Sequence, residues 1–181
     1  QQGDLLVVLT SSGNSANILA ALYAGSGSVA GLKAHKAFDR TKATGNCTLI
    51  PHGDKVSLFD ALYLHSVYAN ALELDDFLYR GHLGQAVVLA PLAICEAFGF
   101  SGKDFLTAQV AANEVAGRVG ASITADMLHG HQRSYLQRLA AAVCASKLLS
   151  LNAGKTAQAL SIALTQPEYP LHPGMFSPET K

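Results

Sequence analysis

The chain of 181 residues and 18.9 kDa has the length of one ordinary domain. Thirteen basic residues balance thirteen acidic ones and only 14% of residues are charged, which excludes a phosphate-tracking nucleic-acid surface, while a hydrophobic share of 49% excludes a disordered chain. Cys47, Cys95 and Cys144 are widely spaced and form no C-x-x-C pair, so they point to reduced thiols in a cytoplasmic setting rather than to a disulfide scaffold or a zinc knuckle.

Helical patterns follow one another with no sustained alternation of period two. Asn14-Ser15 caps a short apolar helix, Ala16 to Tyr23, closed by Gly25-Ser26-Gly27-Ser28. A more basic helix runs from about Val29 to Thr41. Thr48-Leu49-Ile50, ahead of Pro51, reads as one short strand or an extended linker. From Val56 to about Leu74 apolar residues recur at helical spacing. Gln85 to Phe98 is a strongly apolar helix, with Gly99 placed for a left-handed cap and Phe100 for the contact that accompanies it. The longest apolar stretch without charge, Leu83 to Cys95, has 13 residues and is too short to span a bilayer. Ser101 caps a helix through Val119, with Asp104 in its first turn. Ser134 opens another to Leu149, and Asn152 caps a last one to Thr165. Pro167 to Pro178 holds four prolines and reads as an irregular loop.

Small residues crowd the apolar faces: Ala111-Ala112, Ala116-Gly117, Gly120-Ala121 and Ala140-Ala141-Ala142. They let helix axes approach closely. The predicted fold is all-α, a compact helical bundle forming a single domain over 1–181. Its small-residue and apolar surface predicts self-association as a homodimer.

Chemistry concentrates between 73 and 82. Glu73, Asp75 and Asp76 fall within four residues at the C-terminal end of a helix, where the dipole disfavours anions. Repulsion and partial burial would raise a carboxyl pKa toward that of a general acid or base, and pairing with Arg80 or Lys55 is the plainer alternative. His82 and Gly84 lie just ahead of the next helix start, whose free amides suit a carboxylate or phosphate. His129-Gly130-His131 has chelate spacing, but no further ligand lies at a confirming distance in the sequence. His35, His52 and His65 read as structural or solvated. There is no Walker loop, G-x-S-x-G or dinucleotide fingerprint.

Tyr68-Ala69-Asn70-Ala71-Leu72-Glu73-Leu74-Asp75-Asp76, followed by His82, resembles the "H-A-L-D-[FY]-D-D … H-P-G" segment of the MmgE/PrpD family. Phe100 to Leu106 with Glu114 to Arg118 is similar to its "SGR-D-LL … YEV-GR", and Ala140 to Leu149 to its "AAAAA-KLLGL". Ala159 to Gln166, with a loop ending in Lys181, is similar to its "AL-IA … TK". The likeness is best over 56–165. It implies the N-terminal part of a large helical domain, without the α/β domain inserted later in the family's chains. The family holds 2-methylcitrate dehydratase, cis-aconitate decarboxylase and iminodisuccinate epimerase.

By this resemblance the acids fall on Glu73, Asp75 and Asp76, the site histidines on His82 and His131, and the lysine on Lys181. A threonine common after the acids is Phe77 here. The implied reaction is a lyase-type dehydration of 2-methylcitrate or a similar hydroxy-polycarboxylate, with decarboxylation or epimerisation as alternatives. Glu73, Asp75, Asp76 and His131 would move protons, and His82, His131 and Lys181 would hold the di- or tricarboxylate substrate. No cofactor and no metal enter this scheme, and the active form is the full-length parent. A helical binding or assembly module that keeps the family fold is the non-enzymatic alternative.

Overall fold

The computed structural model describes residues 13–39, 44–74, 77–78, 81–122 and 134–165. Among these residues seven helices and two small hairpins follow in order: α1 (Gly13–Ser26), α2 (Val29–Phe38), β1 (Cys47–Thr48), β2 (Lys55–Val56), α3 (Leu58–Asn70), β3 (Phe77–Leu78), β4 (Gly81–His82), a π-helical turn (Gln85–Leu89) running into α4 (Ala90–Phe98), α5 (Gly102–Ser122), α6 (Ser134–Leu148) and α7 (Ala153–Leu164). The fold is mainly helical, and among the described residues no helix is long and apolar enough to cross a membrane. The Pro167–Pro178 segment lies outside the described residues.

The side-chain stops are where hydroxyls and amides dictate them. Ser28, Ser57 and Asn152 accept from the backbone amides of Gly31, Asp60 and Lys155, satisfying donors that no helical carbonyl reaches. Ser101 and Asp104 cap each other: the Asp104 amide donates to Ser101 Oγ at 3.2 Å and the Ser101 amide to Asp104 Oδ2 at 3.0 Å. The Ser101 hydroxyl, donating to Asp104 Oδ2 at 2.6 Å, and then the Ser101 amide hold the Asp104 carboxyl below its usual range. Gly99 takes φ of 74°, and the Phe100 amide closes back on Cys95 O at 2.9 Å, a Schellman ending.

Several elements differ from the sequence expectation. Helix α1 starts at Gly13 and runs to Ser26, so Asn14 and Ser15 lie inside it and Gly25 is helical rather than a linker. The reason is packing: a Cβ on Gly25 would overlap the Tyr68 carbonyl oxygen of α3, and only a bare α-carbon lets the two helices touch there. Helix α3 starts at Leu58, not Val56, because Val56 pairs with Cys47 and Thr48 with Lys55 in the β1–β2 hairpin. The Gln85–Phe98 helix opens with a π turn, in which the Ala90 amide bonds Gln85 O. Pro91 has no N–H for Ala86 O, and Cys144 Sγ lies 3.8 Å from that oxygen.

The core runs from Ile18 and Leu22 of α1 through Leu64 and Tyr68 of α3 to Leu83, Val87 and Leu89, then Phe105 of α5 and Leu136 of α6. Each buried side chain of this size contributes about 1.5–3 kcal/mol. The most extensive helix pairing is α5 against α6. Ala108, Ala112, Ala116 and Gly120 are buried at four-residue steps along α5, opposite Leu136, Ala140 and Cys144 of α6, a row of small side chains that brings the axes together. A single-methyl change tests this economy of space. Gly25→Ala should destabilise by about 1–3 kcal/mol in a urea melt, whereas the same change at Gly154, where the neighbouring atoms lie at ordinary contact distance, should cost far less.

Candidate active site

The acid segment leaves α3 at once. The helix ends at Asn70, and the Glu73 amide turns back to Asn70 O at 3.2 Å. Glu73 is exposed and has φ of 50°, a left-handed conformation that costs a residue with a Cβ about 1 kcal/mol. The expected half-buried position on the helix end is thus replaced by an exposed turn beyond it. Asp75 and Asp76 lie outside the described residues.

The chain returns through the β3–β4 hairpin, with Phe77 opposite His82 and Leu78 opposite Gly81. His82 is half-buried. Its backbone carbonyl accepts a hydrogen bond of 2.7 Å from Gln137 Nε2, in the first turn of α6. Gln137 Nε2 also lies 3.5 Å from Gln85 Oε1, and Gln85 Nε2 lies 3.4 Å from Asn70 Oδ1. Gln85 is buried at the start of the π turn. Three segments therefore meet: the end of α3 that leads to Glu73, the strand of His82, and the start of α6, which follows His131 by three residues. His131 and Lys181 themselves lie outside the described residues.

The helix start after His82 lies in the interior rather than at an open surface. The Ala86 and Val87 amides both bond Leu83 O at 2.9 Å, and the whole turn is buried. Nothing in the spacing of Asn70, Gln85 and Gln137 marks them as a set. A buried Gln in an apolar helix is the one available signal, since such an amide needs partners. A cavity of about 310 Å³ is lined by Phe100, Asp104, Thr107, Lys147, Leu148 and Ser150. It contains none of the candidate residues, and its Asp104 is already committed to capping α5.

Among the described residues the other histidines, His35, His52 and His65, each meet a neighbouring group. The His65 ring is buried, and its Nε2 accepts the Ile50 amide at 2.9 Å. His35 Nδ1 lies 2.9 Å from the Tyr68 hydroxyl, and its ring stacks on His52 at 4.1 Å between centroids. Burial pushes the Tyr68 phenol up to about 12, helped by the Asp39 and Asp54 charges. Burial and the neighbouring His35 both lower the His52 pKa. Among the described residues no three His, Cys, Asp or Glu side chains are grouped to hold a metal ion. Cys47, Cys95 and Cys144 are free and buried.

The model of the MmgE/PrpD N-terminal domain matches residues 4–172. The chain belongs to the MmgE/PrpD family. The match reaches well before Val56, where the motif likeness begins. A relative, the cis-aconitate decarboxylase-like protein oryM of Aspergillus oryzae (strain ATCC 42149 / RIB 40), is 34% identical over 146 residues, covering 74% of this chain and 30% of the relative. The chain thus spans under a third of that relative's length. No solved structure matches. Within the MmgE/PrpD N-terminal domain, the fold places His82 and the start of α6 side by side.

Two measurements follow from these environments. Burial pushes the His65 imidazole down to about 4, with the Glu96 charge only partly offsetting it. The unfolded chain therefore takes up this proton first, so the contribution is intact above about pH 6.5 and is lost progressively from there to about pH 4. Thermal melts across that range should show a fall on the order of 2–3 kcal/mol from this group, and His65→Asn should flatten it. At the acid turn, Glu73→Gly should raise stability by about 1 kcal/mol by relieving the left-handed conformation, read as an upward shift of the urea midpoint.

Proposed function

We propose that the full-length protein to which this chain belongs is a lyase of small di- or tricarboxylates. The observation that carries the reading is the 2.7 Å bond from Gln137 to the His82 carbonyl, which fastens a candidate substrate-binding histidine to the helix that follows the other. Family membership and the 34% identity to a cis-aconitate decarboxylase-like relative support the substrate class.

Breaking a bond next to a carboxylate leaves negative charge on the carbon framework. That charge needs cations around it and an acid to deliver a proton. His82, His131 and Lys181 are the proposed cations. At an effective dielectric near 20, each charge pair about 4 Å apart contributes about 4 kcal/mol. In a decarboxylation the carbon–carbon bond to one carboxylate breaks, carbon dioxide leaves, and the electron pair left behind takes a proton from His131 or one of Glu73, Asp75 and Asp76. In a dehydration the same groups remove a proton beside a carboxylate and protonate the departing hydroxyl. The relative's name favours decarboxylation of a cis-aconitate-like acid over dehydration of 2-methylcitrate. Solvent-facing Phe59, Tyr63, Ile162 and Leu164 support a homodimer as the working form.

The test is a screen of the full-length protein against cis-aconitate, 2-methylcitrate, citrate and iminodisuccinate, reading carbon dioxide, alkene and stereochemistry. Carbon dioxide release is the expected product signal. His131→Ala, and separately Lys181→Ala, should lower kcat/KM at least a hundredfold with an unchanged melting temperature. Full turnover in both variants would remove the site assignment.

A further inference from the structure

The three amides at Asn70, Gln85 and Gln137 form a directional chain, and its direction is fixed by the backbone. The His82 carbonyl can only accept, so the Gln137 atom 2.7 Å from it is the –NH2 end. The second hydrogen of that –NH2 faces Gln85 Oε1 at 3.5 Å. With its oxygen so engaged, Gln85 turns its own –NH2 toward Asn70 Oδ1 at 3.4 Å. Each link joins a different segment. Gln137 is on α6, Gln85 opens the π turn, and Asn70 closes α3, three residues before Glu73. Gln85 is buried and Gln137 half-buried, while Asn70 is exposed, so water competes poorly for the links among His82, Gln137 and Gln85.

We infer that Gln137 is a positioning residue: through its carboxamide it fixes the β4 backbone at His82 relative to α6, and through Gln85 it ties that strand to the end of α3. The inference rests on the proposed role of His82 in substrate binding. It does not require Gln137 to touch substrate. Apolar packing holds the helices at a distance but has no direction of its own along α6. A directional bond to one carbonyl sets the register of β4.

The test uses Gln137→Met in the full-length protein, a change that keeps length and volume and removes both donors, beside His82→Ala. The His82 ring signal in a carbon–proton NMR spectrum is assigned by its loss in His82→Ala. The expected result is a shifted and broadened His82 signal in Gln137→Met, with KM for the polycarboxylate raised about tenfold and kcat changed less than threefold. A KM increase without comparable loss of kcat separates loosened binding from general damage, as does a melting temperature close to the parent's. An unmoved His82 signal, or an unchanged KM, overturns the inference. If the parent turns over none of the polycarboxylates and His82→Ala binds them as the parent does, the proposed function fails instead, and the His82 signal in Gln137→Met alone decides the positioning role.

Discussion

A side chain on the first turn of α6 can reach the carbonyl of His82 only because α6 lies close against both α5 and the π turn. That closeness is a matter of small residues. Ala108, Ala112, Ala116 and Gly120 give α5 a nearly flat face, and Ala140 and Cys144 answer from α6. Larger apolar groups there would still bury surface but would hold the axes of α5 and α6 further apart. The same logic operates between α1 and α3, where Gly25 lies against the Tyr68 carbonyl. Packing distance in this domain is therefore not only a stability term. It sets which polar groups can meet.

Polar contacts away from the candidate site do a different job, pinning the irregular connections. The β1–β2 hairpin is held from two sides. The Ile50 amide donates to His65 of α3, and the Thr48 amide donates to Glu96 of α4 at 2.7 Å while Lys55 pairs with the same carboxylate at 3.0 Å. Burial works against the charged form of Glu96, but the Thr48 hydrogen bonds and the Lys55 ammonium outweigh it and hold its carboxyl below the usual range. The hairpin in turn carries His52 to its stack on His35. A loop that looks featureless by composition is thus fixed by two side chains from neighbouring helices, His65 and Glu96.

Much of the helical order was legible because it depends on local chemistry. Ser101 with Asp104, Gly99 with Phe100, and Asn152 each announce a helix end through bonds made within a few residues. What was not legible depends on neighbours far along the chain. Gly25 has the composition of a linker, and only its contact with Tyr68, more than forty positions away, makes it helical. The π turn at Gln85–Leu89 lies just ahead of Pro91, and no local motif announces it. Glu73 was expected on a helix end, and the chain instead breaks left-handed at that residue. His82 stood out by its place after the acid cluster, yet its anchor Gln137 lies 55 positions away and carries no motif. The MmgE/PrpD likeness supplied candidates; the amide chain supplies a physical reason why two of the segments bearing them meet.

The position of a bound polyacid decides the proposed chemistry. A crystal structure of the full-length protein soaked with cis-aconitate addresses this directly. The predicted result is a carboxylate within about 3 Å of the His82 and His131 rings, with Lys181 facing the same anion. A ligand bound elsewhere, or the two histidines on opposite sides of the molecule with no shared cavity, would contradict it.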